Sequence, residues 1–285
     1  MSAPVTPAPG LGSLKDLGGL AEYLAPLGTH HGLAGNAPRR CDDPRRAALV
    51  LNGTVELFLV ALHDGVAVGA RQHFATLPAG TLILGIEGGR DDRGLGLLAV
   101  GPMGTEILDV PLAAITGLAA TPEGAVLVAT ALDQWIQALV GGMARWVVPR
   151  PAIDHQLSPL ASGGTDSGPG VARGVRANQR LSVRGGVGWL RVRPTACLLL
   201  DMQELGDDAR EGLFPLSPDG WLMALRDMNL DAIDTPQALR EDAAWPGLAL
   251  LHRLLFEIGV LNLRLADLDE YNRLRARLNA TTAKR

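Results

Sequence analysis

The sequence predicts a mainly β protein with helices (α+β): two tandem antiparallel β-rolls, each followed by a helix. Three observations carry this. Short apolar runs with period two are separated by Gly, Pro, Asn and Asp turn signals, the pattern of an antiparallel roll, sandwich or barrel. The stretch "FATLPAGTLILGI" (Phe74–Ile86) is echoed by "FPLSPDGWLMAL" (Phe214–Leu225), each with Phe, Pro-x-Gly and alternating apolar residues. An Asp-x-Pro element, Asp109-Val110-Pro111 and then Asp234-Thr235-Pro236, precedes a helix in both halves.

Along the chain, residues 1–12 are rich in Pro, Ala and Gly and are expected to be disordered. "SLKDLGGLAEYLAPLG" places leucines at 14, 17, 20 and 24 behind a Ser13 cap, a helical spacing. In "AALVLNGTVELFLVAL" the Asn52-Gly53 pair predicts a tight turn between strands. "HDG" and "PAG" predict further turns. Residues 122–146 read as a helix with Val126, Ala129, Leu132, Ile136 and Leu139 among its apolar positions. "PLASGGTDSGPG" has linker composition. Strands resume at "ANQRLSV", "GVGWLRVR" and "ACLLLDM". A last helix starts near Trp245-Pro246, with Leu251, Leu254, Leu255, Ile258, Leu261, Leu265 and Leu268 on one stripe. The expected domains are 1–37, a disordered start and short helix; 38–147, the first roll with its helix; 148–172, a linker; and 173–285, the second roll with its long helix. The two rolls are expected to superpose with Gly80 matching Gly220.

The bulk numbers limit function. With 285 residues, 47% of them apolar, there is material for two cores. A net charge of −4 argues against a nucleic-acid binder, which would show a basic face. Two cysteines, Cys41 and Cys197, form no disulfide framework and point to a reducing compartment. The start "MSAPVTPAPG" lacks the charged and apolar regions of a signal peptide. No uninterrupted apolar run reaches the ~18–20 residues that span a bilayer. The expected location is cytoplasmic.

Catalytic motifs are absent. An ATPase phosphate loop needs a Lys after a Gly-rich turn, but the lysines are Lys15 and Lys284. There is no Gly-x-Ser-x-Gly elbow. A cupin metal site needs a His-x-His pair. Here His30 and His31 are adjacent, so on a strand they face opposite sides, and His63, His73 and His155 sit near turns or the linker. "CDDP" (41–44) reads as a turn rather than a redox or metal fragment. No catalytic residue, metal site or cofactor is expected. The last residues, with Arg273, Arg275, Arg277, Lys284 and Arg285, suit either an anionic surface or a solvated helix end.

A β-roll closed by a helix resembles the cyclic-nucleotide-binding domains and their cupin-like relatives. The segment "LPAGTLILGIEGGRDDRGLGLLAVGPMGTEILDVPLAAI" resembles that family over some forty residues. There, a Gly-Glu pair and a following Arg hold a cyclic phosphate and ribose. The resemblance implies Gly85, Glu87 and Arg93 as ligand-binding residues, with Arg93 as the anchor. Ile86 separates Gly85 from Glu87, and Asp91 and Asp92 would repel a phosphate, so a degenerate cassette is expected. The second roll is expected to have lost this loop. The longer phrases "LNGTVELFLVALHDGVAVGARQHFATLPAGTLILGI", "GLGLLAVGPMGTEILDVPLAAI" and "VRGGVGWLRV…FPLSPDGWLMAL" resemble the cytoplasmic N-terminal region of ATP-binding exporters in NHLM-type bacteriocin systems, over roughly residues 40–270. That family carries transmembrane and nucleotide-hydrolysing domains after this region. This chain ends before either, so it is expected to be a piece of such a transporter or a stand-alone relative. The resemblance implies a non-catalytic regulatory or cargo-recruiting module. Its partners would be those exporter domains or a homologous subunit, a peptide precursor, and a second copy in a homodimer. A cyclic-nucleotide or small-anion sensor is the alternative, and a cupin-like metalloenzyme a third.

Overall fold

Alternating apolar residues build eight strands between residues 29 and 111. They are β1 (Thr29–Leu33), β2 (Arg39–Arg40), β3 (Arg46–Asn52), β4 (Thr54–His63), β5 (Val66–Pro78), β6 (Leu82–Leu84), β7 (Arg93–Val100) and β8 (Thr105–Pro111). The computed structural model describes residues 17–87, 93–147, 149–159, 170–191, 197–205, 213–241 and 244–282. The expected disorder at the N-terminus, the Ser13 cap, Asp91 and Asp92, residues 148 and 160–169 of the linker and the last three residues lie outside them. The strands form two four-stranded sheets, ordered β1-β8-β3-β6 and β2-β7-β4-β5. This is the double-sheet roll, in which the chain crosses repeatedly from one sheet to the other and only β4 and β5 follow each other within a sheet.

Turn chemistry explains part of this path. Asp64-Gly65, with φ of 50° and 74°, closes the β4–β5 hairpin, where His63 opposes Val66. Positive φ at both loop residues matches the right-handed twist of the flanking strands. Asn52-Gly53 does something else. Gly53 has φ of 76°, but β3 pairs with β6 and β8 while β4 pairs with β5 and β7. That turn passes the chain from one sheet to the other rather than making a hairpin.

The second half repeats the plan with β9 (His155–Leu157), β10 (Gly170–Val175), β11 (Arg180–Val183), β12 (Gly188–Arg191), β13 (Cys197–Leu199), β14 (Gln203–Glu204), β15 (Leu213–Leu216), β16 (Leu222–Ala224) and β17 (Met228–Ile233). The sheets are β10-β17-β12-β15 and β14-β13-β16-β11-β9. Numbered from β10 within its own roll, the first sheet reads 1-8-3-6 and the second 5-4-7-2, the first roll's orders, with β9 added in parallel at the β11 edge. The chain is one fold written twice.

The motif that suggested the repeat is out of phase with it. Gly80, with φ of 90°, turns the chain into strand six of the first roll, β6. Gly220 follows strand six of the second roll, β15. The two Pro-x-Gly turns are therefore not equivalent; each serves a different corner. The Asp-x-Pro elements differ too. Asp234 caps helix α4 (Thr235–Arg240), accepting from the Gln237 N–H at 2.9 Å. Asp109 lies inside β8 and caps nothing, and Pro111 precedes helix α2 (Leu112–Ala119). The expected boundaries also shift. The first roll begins at β1, inside the segment assigned to a disordered start and helix α1 (Leu17–Leu24), and the expected linker supplies β9.

Helix α3 (Pro122–Ala144) joins the rolls. Thr121 caps it by accepting from the Gly124 N–H at 3.1 Å, and Pro122 suits the first helical position. Its buried residues, among them Ala125, Val128, Leu132, Trp135, Ile136, Leu139 and Val140, occupy more than one face. One side packs on β5 and β6, the other on β15, α4 and the last helix, α5 (Ala244–Thr282). Gly142 admits the Phe74 ring, where a Cβ would lie 2.6 Å away. Helix α5 reaches back to the first roll, where Gly259 packs on Leu95 of β7. Most buried side chains of both rolls form one continuous cluster, and Val60, Leu62 and Leu98 make a small separate one on the first roll.

Averaged over 18 residues, α3 and Ala244–Leu263 each have a mean hydropathy of 1.3, long and apolar enough to cross a membrane. Counting uninterrupted apolar runs in the sequence misses both. Much of their apolar surface is spent on the shared core.

Polar contacts pin this junction. The buried Trp189 donates from Nε1 to Thr235 Oγ1 at 2.8 Å, and the Thr235 hydroxyl donates to Asp133 Oδ1 on α3. Two residues along, Trp135 Nε1 donates to His252 Nε2 on α5 at 3.1 Å, and the rings pack edge to face. Burial pushes the Asp133 carboxyl up to about 7, and the charge of Asp234 adds to the rise against the opposing Thr235 hydrogen bond. Burial pushes His252 down to about 3. A neutral His252 is what the Trp135 donor requires, since its Nε2 must offer a lone pair.

Replacing Thr235 with Val keeps the volume but orphans the Trp189 N–H and removes a donor from Asp133. Chemical denaturation should show a loss of at least ~1–3 kcal/mol. The two titrating groups set opposite slopes. Asp133 takes up its proton at higher pH in the folded chain than in the unfolded one, so its contribution falls as pH rises toward and through about 7. His252 resists protonation when folded, so its contribution is present above its ordinary range and falls as pH drops toward about 3. Asp133→Asn should flatten the first slope and leave the second. Melting temperature against pH checks both.

Candidate functional site

Strand periodicity builds a charged cluster on the first roll. Asp109 in β8 lies opposite Ala48 of β3 and Thr29 of β1. Residues two apart on a strand share a face. Arg46, two before Ala48, and His31, two after Thr29, therefore lie on the Asp109 side. The small Ala48 leaves a lane for the Arg46 guanidinium. Arg46 donates to Asp109 Oδ2 at 2.6 Å, and Arg39 of β2 stands 2.7 Å from the same oxygen. His31 Nε2 is 4.0 Å away. Asp109 is 7% exposed, and its second oxygen, Oδ1, has no hydrogen-bond partner among the described residues. Burial pushes this carboxyl up, but hydrogen bonds and charge from Arg46 and Arg39 outweigh it and hold the group below the ordinary carboxylate range.

The loop between β2 and β3 frames the cluster. Asp43 Oδ1 accepts from the Arg45 backbone at 3.0 Å and from its side chain at 3.2 Å, while the Asp43 carbonyl accepts from the Arg46 N–H at 3.0 Å. Gly85, just after β6, docks on this turn, its N–H donating to the Arg46 carbonyl at 3.0 Å. A Cβ on Gly85 would lie 1.8 Å from the Asp43 carbonyl oxygen, so no other residue fits without moving the turn. An open recess lies here, with walls that include Arg39, Arg40, Cys41, Asp42, Asp43, Arg46, Gly85 and Asp109. Burial pushes the Cys41 thiol up to about 12, so it stays protonated and unreactive at neutral pH.

The residues implied by the cyclic-nucleotide resemblance do not gather in this recess. Gly85 lines it, and Glu87 is exposed two residues on. Arg93 opens β7 opposite His63, and its side chain lies outside the described atoms. The Ile86 N–H donates to the Cys41 carbonyl, and the Cys41 N–H to the Leu97 carbonyl, so Ile86, next to Gly85, sits level with Leu97. Arg93 is four residues along the strand, about 13 Å. Strand six connects to strand seven through residues 85–92 in the first roll and 217–221 in the second. In the second roll this short connection is tied down by Ser182, whose hydroxyl donates to the Gly220 carbonyl at 2.6 Å, and Trp221 is fully buried.

The histidines do not converge. His73 pairs with Glu56 at 2.6 Å, His155 with Gln179 at 3.0 Å, and His63 with Asp64 at 3.7 Å. Among the described residues no group of three metal-ligating side chains comes together. Sequence reading missed Asp109, Arg39 and Arg46 as a unit. The available signal was the period-two placement of Arg46 and Asp109 on apolar strands, where a charge demands a partner.

No family model matches the chain, and no curated protein matches it. Solved structures do resemble it. A mutant of CooA from Carboxydothermus hydrogenoformans is 15% identical, covering 50% of this chain and 92% of its own, with a TM-score of 0.36. The Thermus thermophilus catabolite activator protein is 22% identical over 47% of this chain and 65% of its own, with a TM-score of 0.28. The cAMP-bound PfPKA-R is 9% identical over 90% of this chain and 83% of its own, with a TM-score of 0.26. The roll architecture of this chain stands on its own strand orders.

Because Arg39 and Arg46 share one oxygen, each single Ala variant should leave Asp109 paired and cost little. The double variant should cost more than the sum, since it strands a buried carboxylate. Urea denaturation of the four-protein cycle measures this. Gly85→Ala should lower the midpoint more than either single Arg variant.

Proposed function

We propose that this chain is a non-catalytic regulatory or cargo-recruiting module of a peptide exporter driven by ATP hydrolysis in other domains. The observation that carries this reading is the fusion of two rolls of identical strand order around one shared helix. Such a body offers rigid surfaces at a fixed spacing, which suits docking more than chemistry. The phrases that resemble NHLM-type exporters, from "LNGTVELFLVAL" to "FPLSPDGWLMAL", supply the context. In this reading the chain works on the cytoplasmic side. It touches the membrane through its partner, and helix α5 leads toward that partner.

A second reading, a small-molecule sensor, draws on the eight-residue connection that begins at Gly85 and Glu87 and ends before Arg93. Calorimetry with cyclic AMP and cyclic GMP tests it; an absence of heat at millimolar ligand removes those two.

The exporter reading predicts that the purified chain binds the precursor peptide encoded beside it, or changes the ATPase rate of the neighbouring exporter. Fluorescence anisotropy with labelled precursor and a coupled ATPase assay measure the two effects. If neither responds, the proposal fails.

A further inference from the structure

The recess around Asp109 holds an imbalance that the fold does not resolve. Two guanidiniums face a single carboxylate there. Asp42 and Asp43 line the same recess but each has its own cation, Arg40 at 2.5 Å and Arg45 at 3.2 Å. Arg39 and Arg46 keep 29% and 38% of their side-chain surface exposed, so part of each guanidinium still reaches solvent. Asp109 Oδ1, by contrast, is buried and lacks a donor among the described residues. A buried acceptor without a partner costs about 1–3 kcal/mol, more for a charged group, so a ligand that supplies the donor is favoured.

The chemistry narrows what that ligand is. A metal ion or ammonium would satisfy Oδ1 but would be repelled by two arginines. A fully ionised anion would satisfy the arginines but would set an acceptor against Oδ1. A protonated oxyanion does both: its O–H donates to Asp109, and its ionised oxygens accept from the guanidiniums, which suit bidentate recognition. We propose that the Arg39–Arg46–Asp109 recess is a binding site for a protonated phosphate, as inorganic phosphate or a phosphate monoester. A cyclic phosphodiester has no P–OH, so this site differs in ligand class from a cyclic-nucleotide cassette. It is also independent of the exporter reading, which can fail while the site stands.

The defining property is discrimination between phosphate and sulfate, which have the same shape but differ in the proton. Calorimetry on the full chain at about pH 6, where inorganic phosphate keeps a proton and sulfate has none, makes the comparison. Inorganic phosphate should bind at least tenfold more tightly than sulfate. Asp109→Asn, whose amide offers a donor in place of the acceptor, should erase or reverse that preference. Arg46→Gln should weaken phosphate at least tenfold and keeps the test available if the Asp109 variant does not fold. Equal binding of the two anions, no binding of phosphate at millimolar concentration, or a preference that survives Asp109→Asn would each overturn the proposal.

Discussion

Everything in this structure depends on helix α3 being apolar on more than one side. A helix that closes a single roll needs one apolar stripe and presents a polar back to water. Here Trp135, Ile136, Leu139 and Val140 are all at or near zero exposure, and they occupy more than one face. The second roll exists, in packing terms, because the back of α3 must be covered. Its strand β15 and helices α4 and α5 supply that cover. The two halves are consequently closer to one domain with an internal repeat than to two beads on a linker.

That arrangement explains where polar groups are tolerated inside. Asp133, Thr235, Trp189, Trp135 and His252 all sit where the halves meet, and each is engaged by another of the set. A junction made only of aliphatic contacts could slide. A directional chain running from an indole N–H through a hydroxyl to a carboxyl fixes both the distance and the rotation between α3 and α4. The desolvation that shifts Asp133 and His252 away from their ordinary ranges is the cost of that registration.

Much of the architecture was legible in the sequence, for identifiable reasons. Period-two runs and glycine turns mark strands wherever one face is buried, and the helix at 122–146 differs from the observed α3 by two residues at its end. The repeat was legible as well, although its apparent anchor was not an anchor. Pro-x-Gly fits any corner that needs a tight turn, so the same three letters served the corner before strand six in one roll and the corner after it in the other. Asp-x-Pro does stand at the end of strand eight and before a helix in both rolls, but only Asp234 caps that helix, while Asp109 is buried in a sheet among arginines. That Arg46 and Asp109 need partners was legible, but which charges meet was not, because the members come from three separate strands and only the pairing register brings residues 39, 46 and 109 together. Strand pairing is a property of the whole roll, and local pattern does not contain it.

The reach of α5 back to Leu95 has a consequence during synthesis. The first roll and α3 are complete once residue 144 has been made, but the last of the covering contacts, at Gly259, arrives roughly 115 residues later. At about 5–20 residues per second the interval is some 6–23 seconds. Through that interval the nascent chain displays, beside a finished roll, a helix with the length and apolarity of a membrane span. For that time it is the kind of surface that holdases and targeting factors bind, and the second roll competes with them for it.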